Sequence, residues 1–236
     1  MLTLSFALLC ALSSGTGVCR VAFALRWLLP AALLIDRLFG ELPSRVHPVC
    51  MMGALASRIE ALFRRGSNNA LMSLSGTLAC LLVVLPCAAL AGGLAWAAQV
   101  YADPRAAWFV SAIIIWICVA PRSLDEHALR VAVPLAKGDL EGARKAVSMM
   151  VGRIQTADAH GVARACVESV GENLTDGILS TLFWAGIGLF FFGYPGAACL
   201  AVLHRSANVL DALWGKKNQK YIRFGTFAAR LDDALN

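Results

Sequence analysis

Segment 167–177 concentrates side chains that could do chemistry at the edge of a long apolar run. It reads V-E-S-V-G-E-N-L-T-D-G and contains Glu168, Glu172, Asn173 and Asp176. On a helix, the first two carboxylates are four residues apart and repel each other on one face. A cation, a cationic substrate or a partner base would relieve this repulsion. We therefore predict these four residues as catalytic, against the alternative that they merely solvate the end of a membrane helix.

The composition predicts an integral membrane protein. Of the 236 residues, 58% are hydrophobic and only 15% are charged, whereas soluble domains carry about a quarter charged residues. The net charge of +6 is spread through the inter-helix loops, where it sets orientation in the membrane. Basic and aromatic residues do not interleave, which argues against a nucleic-acid partner. The eight cysteines form no CxxC pair, so we expect free, buried thiols.

The apolar runs predict an all-α, polytopic membrane protein with four to five membrane helices in a single domain, surrounded by lipid. Residues 1–17 stay unassigned, and a short amphipathic helix is predicted at 54–65. The predicted membrane segments are 18–35, 71–100, 106–120, 178–192 and 195–206.

Region 121–177 is polar and is predicted to form three amphipathic helices on the cytoplasmic side. Ser123 begins the sequence S-L-D-E, which is typical of a capping box and predicts it as the N-cap of the first helix. Asp139 is predicted to cap the second helix, and Thr156 or Asp158 the third.

Basic residues predict the orientation. Segment 36–70 has five Arg and Lys residues, region 121–177 has seven and the tail after His204 has six, whereas 101–105 has one. The positive-inside rule therefore places the three basic parts in the cytoplasm. The tail can return there only if 178–206 forms a hairpin, for which the sequence Gly-Tyr-Pro-Gly at 193–196 offers a turn.

Such a hairpin would bring acidic and amide side chains from distant parts of the chain to one interface. Carboxylates and amides suit Mg²⁺, which shares its oxygen ligands with substrate phosphates, and Arg and Lys suit the phosphates themselves. No P-loop or GxGxxG motif is present. The predicted metal ligands are Asp36, Asp211, Asp232 and Asp233, and the predicted substrate- or phosphate-binding residues are His47, Arg153, Arg205, Asn208 and Arg230.

Several of these assignments have a structural alternative. His47 could equally be a hydrogen-bonding loop residue, and His127 and His160 are interpreted as surface or packing residues. Adjacent carboxylates near a membrane are costly unless paired or solvated. Arg230 is therefore predicted as the partner of Asp232 and Asp233.

The motifs resemble, in order and spacing, the adenosylcobinamide-phosphate synthases of cobalamin biosynthesis (the CobD/CbiB family). The resemblance extends from about Ile35 to the end of the chain. It is carried by D-R-L-F-G-E-L-P-x3-H-P-V-x3-G at 36–53, S-L-D-E-H-A at 123–128, G-D-L-E-x-A-R at 138–144, V-G-R at 151–153, R-A-x-V-E-S-V-x-E-N-x-x-D-G at 164–177, N-x-x-D at 208–211 and F-G-x-x-A-A-R-L-D-D-x-x-N at 224–236.

The resemblance implies a multi-pass inner-membrane enzyme with a cytoplasmic active face. It would join (R)-1-amino-2-propanol, or its O-phosphate, to a carboxylate of adenosylcobyric acid, using ATP as cosubstrate and Mg²⁺. An acyl phosphate would activate the carboxylate, and Glu172 could orient or deprotonate the amine. Implied partners are the corrinoid and aminoalcohol phosphate substrates and other enzymes of cobalamin assembly.

The sequence also departs from the family pattern. The acid of the family's G-R-D-T is lost at 152–156, two polar side chains are lost at 208–213, and Glu41 replaces an aspartate. A last membrane helix expected after Asn236 is missing, which suggests a truncated or diverged member. Two other classes stay open: a non-catalytic membrane sensor or assembly protein, as in the related family linked to β-lactamase induction, and a CDP-alcohol-type membrane phosphotransferase.

Overall fold

A computed structural model describes residues 16–64, 68–151 and 157–236. Over these ranges the fold is helical and contains no strand, which confirms the all-α prediction. The elements are α1 (Thr16–Phe39), α2 (Pro48–Phe63), α3 (Asn69–Tyr101), α4 (Pro104–Cys118), α5 (Pro121–Ala136), α6 (Leu140–Val151), α7 (Ala159–Glu172), a π-helical segment (Asn173–Leu179), α8 (Ser180–Trp214) and α9 (Thr226–Leu235).

Three helical stretches of the described chain are long and apolar enough to cross a bilayer. They are Asn69–Tyr101, Pro104–Ala136 and Ala159–Trp214. Because each of the five predicted membrane segments is helical over all or nearly all of its length, the helices are compatible with a multi-pass membrane protein. Six cysteines are free thiols: Cys50, Cys80, Cys87, Cys118, Cys166 and Cys199.

Helix α8 is a hairpin that bends at Gly193. Its φ of +70° is left-handed backbone, which glycine adopts without strain. Across the bend, Thr181 Oγ1 lies 2.9 Å from His204 Nδ1, and a Cβ at Gly188 would overlap the carbonyl of Gly196. The two limbs are therefore antiparallel and closely packed, and the hairpin prediction is confirmed.

The second limb is longer than predicted. It continues past residue 206 to Trp214, because Leu210 and Trp214 are apolar and pack with Val83 of α3 and Phe224 of the tail. The hairpin returns the chain to the end of the molecule from which it left. The residues before Ile178 and those after His204 therefore lie on the same side.

Three apolar clusters hold the helices together. The first joins α1, α3, α4 and the hairpin around Ile115 and Leu189. The second joins α2, α3, the end of α8 and α9 around Val83 and Trp214. The third lies within α5–α7 around Val147, so the three predicted amphipathic helices form one small layer.

The capping prediction for α5 is wrong. Ser123 lies inside the helix, and Ala120 is the N-cap without a side-chain bond. The cap comes from α1 instead, because Asp36 Oδ2 accepts a 2.8 Å hydrogen bond from the Arg122 N–H. Elsewhere the predicted caps are confirmed: Asp139 accepts from the Gly142 N–H and Asp158 from the Gly161 N–H. The alternative cap at Thr156 lies outside the described residues.

Helix α7 continues into α8 through the π-helical segment. The sequence placed the end of the polar helices at Gly177, whereas the helical path runs on through this residue. A π-helix takes more residues per turn, so it changes which side chains share a face, and such segments recur at functional sites. Here the segment carries two of the predicted catalytic residues, Asn173 and Asp176.

Candidate functional site

A polar cavity of about 270 Å³ lies where α5, α6, the π-helical segment and α8 meet. Its walls also include the loop after α1. The polar side chains in the wall come from segments far apart in sequence, which the hairpin and the α5–α7 layer bring together. These polar residues are Glu41, Ser123, His127, Asn173 and Arg205, and Gly177 also lines the cavity.

Arg205 brings its guanidinium to the wall of this cavity. Its Nη1 donates a 3.2 Å hydrogen bond to Asn208 Oδ1, and its buried Nε has no hydrogen-bond partner among the described residues. A Cβ at Gly177 would lie 3.3 Å from Arg205 Nη1, so this glycine leaves room for the guanidinium. A buried N–H without an acceptor is unfavourable. The guanidinium of this cavity-lining residue has the fork geometry that suits an anion such as phosphate or carboxylate.

Acidic side chains from three segments gather around Asp232, which shares its hydrogen-bond partner Asn208 with Arg205. Asp232 of α9 is only 6% exposed, and its Oδ1 has no partner among the described residues. Burial raises the pKa of Asp232 to about 6, and the negative charges of Asp211, Asp176 and Asp233 add to this effect. A hydrogen bond with Asn208 opposes it. The hairpin thus brings carboxylates of the π-helical segment, the second limb and the tail close enough to interact electrostatically.

These acids have the chemistry of a Mg²⁺ site without forming a complete one. Carboxylate and amide oxygens are the ligands that Mg²⁺ prefers, and the unpartnered Asp232 Oδ1 is available to a cation. Within residues 16–64, 68–151 and 157–236, no three His, Cys, Asp or Glu side chains converge as a metal-holding group. The residues therefore fit an ion that brings further oxygen ligands with it, as Mg²⁺ does with phosphates.

A buried network fixes the tail against the hairpin. His204 is fully buried, with Nδ1 at 2.9 Å from Thr181 Oγ1 and Nε2 at 2.9 Å from Asn236 Oδ1. Trp184 Nε1 donates to the Leu235 carbonyl at 2.8 Å. These bonds hold α9, and with it the carboxylates of the tail, beside the π-helical segment.

His47 is both a cap and a neighbour of the site. Its Nδ1 accepts a 3.2 Å hydrogen bond from the Val49 N–H and begins α2. Burial lowers the pKa of His47; the carboxylate of Glu41 opposes this, and the positive charge of Arg205 adds to it. The histidine is therefore favoured in its neutral form, with its proton on Nε2.

Asp36 has a different environment from the other predicted metal ligands. It is buried at the end of α1, where it caps α5, and the charges that act on it are those of Glu41, Arg122 and Arg37. Its Oδ1 has no partner among the described residues. The structure thus separates Asp36 from the aspartates of α8 and α9.

Three of the four predicted catalytic residues lie outside the cavity wall: Glu168, Glu172 and Asp176, whose charge acts on Asp232 instead. Glu168 is exposed and forms a 2.7 Å ion pair with Arg164 on the same helix, and Glu172 is exposed at the end of α7. Asn173, in contrast, lines the cavity, with its Nδ2 donating to the Ser169 carbonyl.

The last two predicted binding residues are Arg230 and Arg153. Arg230 is exposed and forms no ion pair with Asp232 or Asp233 in the part of the chain that the structure describes, so the predicted pairing is wrong. Asp232 is two positions after Arg230, and residues i and i+2 do not face each other on a helix. Asp233 is three positions after it, a spacing that would permit a pair, but both side chains are exposed and no such pair forms within the described ranges. Arg153 lies outside the described residues.

Three cavity residues were missed: Glu41, Ser123 and His127. The sequence contained a signal for all three, since Glu41 lies in the first family motif and the other two in S-L-D-E-H-A. The latter motif was interpreted as a capping box. Because Asp36 caps α5, the side chain of Ser123 is not needed as a cap, and Ser123 and His127 both line the cavity.

Comparison with known proteins decides the family. The model of the family described as "CobD/Cbib protein" matches residues 29–236. The chain belongs to this family. A cobalamin biosynthesis protein CobD from Stutzerimonas stutzeri is 41% identical over 206 residues, and one from Chromobacterium violaceum is 41% identical over 213 residues. A probable CobD protein from Methanocaldococcus jannaschii is 35% identical over 208 residues.

The chain spans only part of the length of these CobD relatives. The matches cover 87%, 88% and 87% of this chain, but 63%, 64% and 65% of the respective relatives. No solved structure matches the chain significantly.

Proposed function

We propose that this CobD/Cbib chain acts in cobalamin biosynthesis by forming an amide bond at the expense of ATP. The bond would join (R)-1-amino-2-propanol, or its O-phosphate, to a carboxylate of adenosylcobyric acid. The product is adenosylcobinamide or its phosphate. The names of the relatives support the pathway, and the polar cavity supports the chemistry.

The observation that carries the proposal is the buried Arg205 Nε that has no partner among the described residues and belongs to a cavity-lining side chain. A carboxylate does not react with an amine unless its oxygen becomes a good leaving group, and transfer of the ATP γ-phosphoryl group to that oxygen makes it one. Arg205 would bind the transferred phosphate and neutralise the charge that develops on it. Preorganised charge of this kind in a site that excludes water supplies a large part of catalysis.

The acidic side chains of α8, α9 and the π-helical segment would hold Mg²⁺ together with the ATP phosphates. We assign Asp211, Asp232 and Asp233 as the protein ligands, with Asp176 nearby and Asn208 positioning Arg205. When bound, Mg²⁺ would polarise the phosphate and reduce its repulsion of the attacking group. Asp36 keeps its helix-capping role in this scheme.

The proposed site is on the cytoplasmic face of the inner membrane. The basic residues of 36–70, 121–177 and the tail support this orientation, and ATP is available on that face. The expected partners are the corrinoid and aminoalcohol phosphate substrates, membrane lipid and other enzymes of cobalamin assembly.

Complementation tests the proposal. A strain that lacks its own amide-forming enzyme of this pathway is transformed with this chain, with and without a C-terminal extension, and is grown without cobalamin. We expect growth on adenosylcobyric acid together with the aminoalcohol. Growth only on supplied cobinamide would refute amide formation by this chain.

A reaction with purified protein separates the proposal from a non-catalytic role. The chain in detergent is incubated with ATP, Mg²⁺, adenosylcobyric acid and aminopropanol phosphate, and the products are analysed by mass spectrometry. We expect adenosylcobinamide phosphate together with ADP and phosphate in equal amounts. A sensor or assembly protein would release neither product, and a CDP-alcohol phosphotransferase would release CMP from a CDP-alcohol instead.

A further inference from the structure

The hydrogen bond of His127 fixes which of its ring nitrogens carries the proton. His127 lies on α5 one turn after Ser123, and its Nδ1 is 2.7 Å from the Ser123 carbonyl oxygen. A carbonyl oxygen can only accept a hydrogen bond, so Nδ1 must be the N–H that donates. In the neutral ring the basic lone pair is therefore on Nε2.

The Nε2 edge of His127 is available to a ligand. The ring lines the cavity that Arg205 also lines. Because Nδ1 is tied back to its own helix, Nε2 points away from the helix backbone. No hydrogen bond or ion pair within the described ranges involves Nε2 of His127.

The other histidines are not arranged for proton transfer in this cavity. His204 uses both ring nitrogens in the buried network. His47 accepts a hydrogen bond at Nδ1, so its neutral form carries a proton on Nε2 and cannot take up another there. His160 is exposed on α7 and does not line the cavity.

We propose that His127 is the general base that deprotonates the nucleophilic amine. This inference rests on the proposed function. The aminoalcohol arrives as an ammonium ion, whose nitrogen has no free electron pair, and Nε2 of His127 takes one of its protons. A backbone carbonyl that holds Nδ1 orients the ring for this task, as it does for many catalytic histidines.

The subsequent bond changes are balanced. The electron pair of the freed amine attacks the carbonyl carbon of the acyl phosphate, and the C–N bond forms. The bond between that carbon and the phosphate oxygen breaks, and the phosphate leaves with the electron pair of that bond. The second proton lost by the nitrogen passes to the departing phosphate, and the imidazolium of His127 returns its proton to solvent.

The cavity provides complementary charges for this step. Arg205 lies in the same wall as His127 and would hold the leaving phosphate, while the carboxylate of Glu41 would attract the ammonium ion. The exposed Glu172 is the other candidate for deprotonating the amine, but it does not line the cavity. The geometry therefore favours His127.

Chemical rescue tests the assignment. In His127→Ala we expect kcat for amide formation to fall at least 100-fold, because general bases contribute about 10²–10⁴-fold, while KM for ATP stays within threefold. Imidazole added to the buffer should restore the rate in a concentration-dependent way, and more basic imidazoles should restore it more. The matched control His160→Ala should keep the wild-type rate and show no response to imidazole.

A second variant separates the base from the structural hydrogen bond. In His127→Asn the side-chain amide can still donate to the Ser123 carbonyl but has no basic nitrogen. We expect it to keep the wild-type thermal midpoint and to be as inactive as the alanine variant. Full activity of the asparagine variant, or an alanine variant that is inactive yet insensitive to imidazole, overturns the assignment. A wild-type chain that forms no amide overturns the proposed function itself, and the role of His127 with it.

Discussion

Replacing Asp232 with asparagine should stabilise the protein while removing its activity. The carboxylate is buried, and one oxygen lacks a partner among the described residues. At neutral pH it carries a charge that burial and neighbouring aspartates disfavour. Asparagine has the same shape without the charge, and its oxygen can still accept the hydrogen bond from Asn208.

The size of the effect follows from the pKa of Asp232, which is raised from 3.8 to about 6 in the folded protein. A tenfold change in proton affinity is about 1.4 kcal/mol, so the ionised carboxylate destabilises the fold by about 3 kcal/mol above pH 7. The sign follows from proton binding: between these values the folded state binds more protons than the unfolded state. Stability therefore falls as pH rises through this window and is constant above it.

Thermal unfolding in detergent micelles at pH 7.5 and at pH 5 measures this effect. We expect Asp232→Asn to raise the midpoint at pH 7.5 by roughly 6–12 °C, since about 1 kcal/mol corresponds to about 2–4 °C for a chain of this size. At pH 5 the gain should shrink to about half in free energy, because the wild-type carboxylate is then largely protonated. The exposed Asp233 provides the matched control. Asp233→Asn should raise the midpoint far less than Asp232→Asn, because the charge of Asp233 is the smallest of the causes that raise the pKa of Asp232.

The same Asp232 variant tests the metal assignment. Mg²⁺ with ATP should raise the midpoint of the wild-type protein more than that of Asp232→Asn, because the ion loses a charged ligand. A variant that is less stable than wild type at pH 7.5, or equally stabilised at both pH values, would refute the reasoning about the buried charge.

Three further substitutions probe the anion site and the hairpin. Arg205→Met should raise KM for ATP about 10- to 150-fold with little change in thermal midpoint, since a hydrogen bond to a charged group contributes about 1.5–3 kcal/mol; an unchanged KM would contradict phosphate binding there. Gly188→Ala should destabilise the hairpin by about 1–3 kcal/mol in thermal unfolding, because the new methyl overlaps the facing limb, whereas Gly93→Ala, which meets nothing within 4 Å, should not. Thr181→Val leaves the buried His204 Nδ1 without its bond and should lower the free energy of unfolding by about 1–3 kcal/mol. An unaltered denaturation midpoint would show that this bond does not stabilise the fold.

The hairpin and the family could be predicted because their signals are local. The charge of the tail and the Gly-Tyr-Pro-Gly turn indicated the reversal at Gly193, and the motifs retained their order along the chain. The N-cap residues Asp139 and Asp158 were also predictable, since each bonds to a backbone N–H three residues away.

The details of the site depend on long-range packing that no local pattern encodes. Asp36 caps a helix 86 residues further along the chain, so Ser123 looked like the cap and His127 like a surface residue. The π-helical segment has no sequence signature, yet it changes the face on which Asp176 lies relative to Glu168. Arg205 was predicted to bind substrate or phosphate from its charge and position alone, whereas its Nε without a partner among the described residues becomes visible only in the folded structure.

Side-specific labelling tests the central claim that the hairpin gathers the site on one face of the membrane. Single cysteines at the exposed positions Gly171, Lys217 and Tyr101, in a variant without the native cysteines, are treated with a membrane-impermeant maleimide in right-side-out and inverted vesicles. We predict that Gly171→Cys and Lys217→Cys react from the same side and Tyr101→Cys from the other. Reaction of the first two from opposite sides would contradict the account, because the tail could not then reach the π-helical segment.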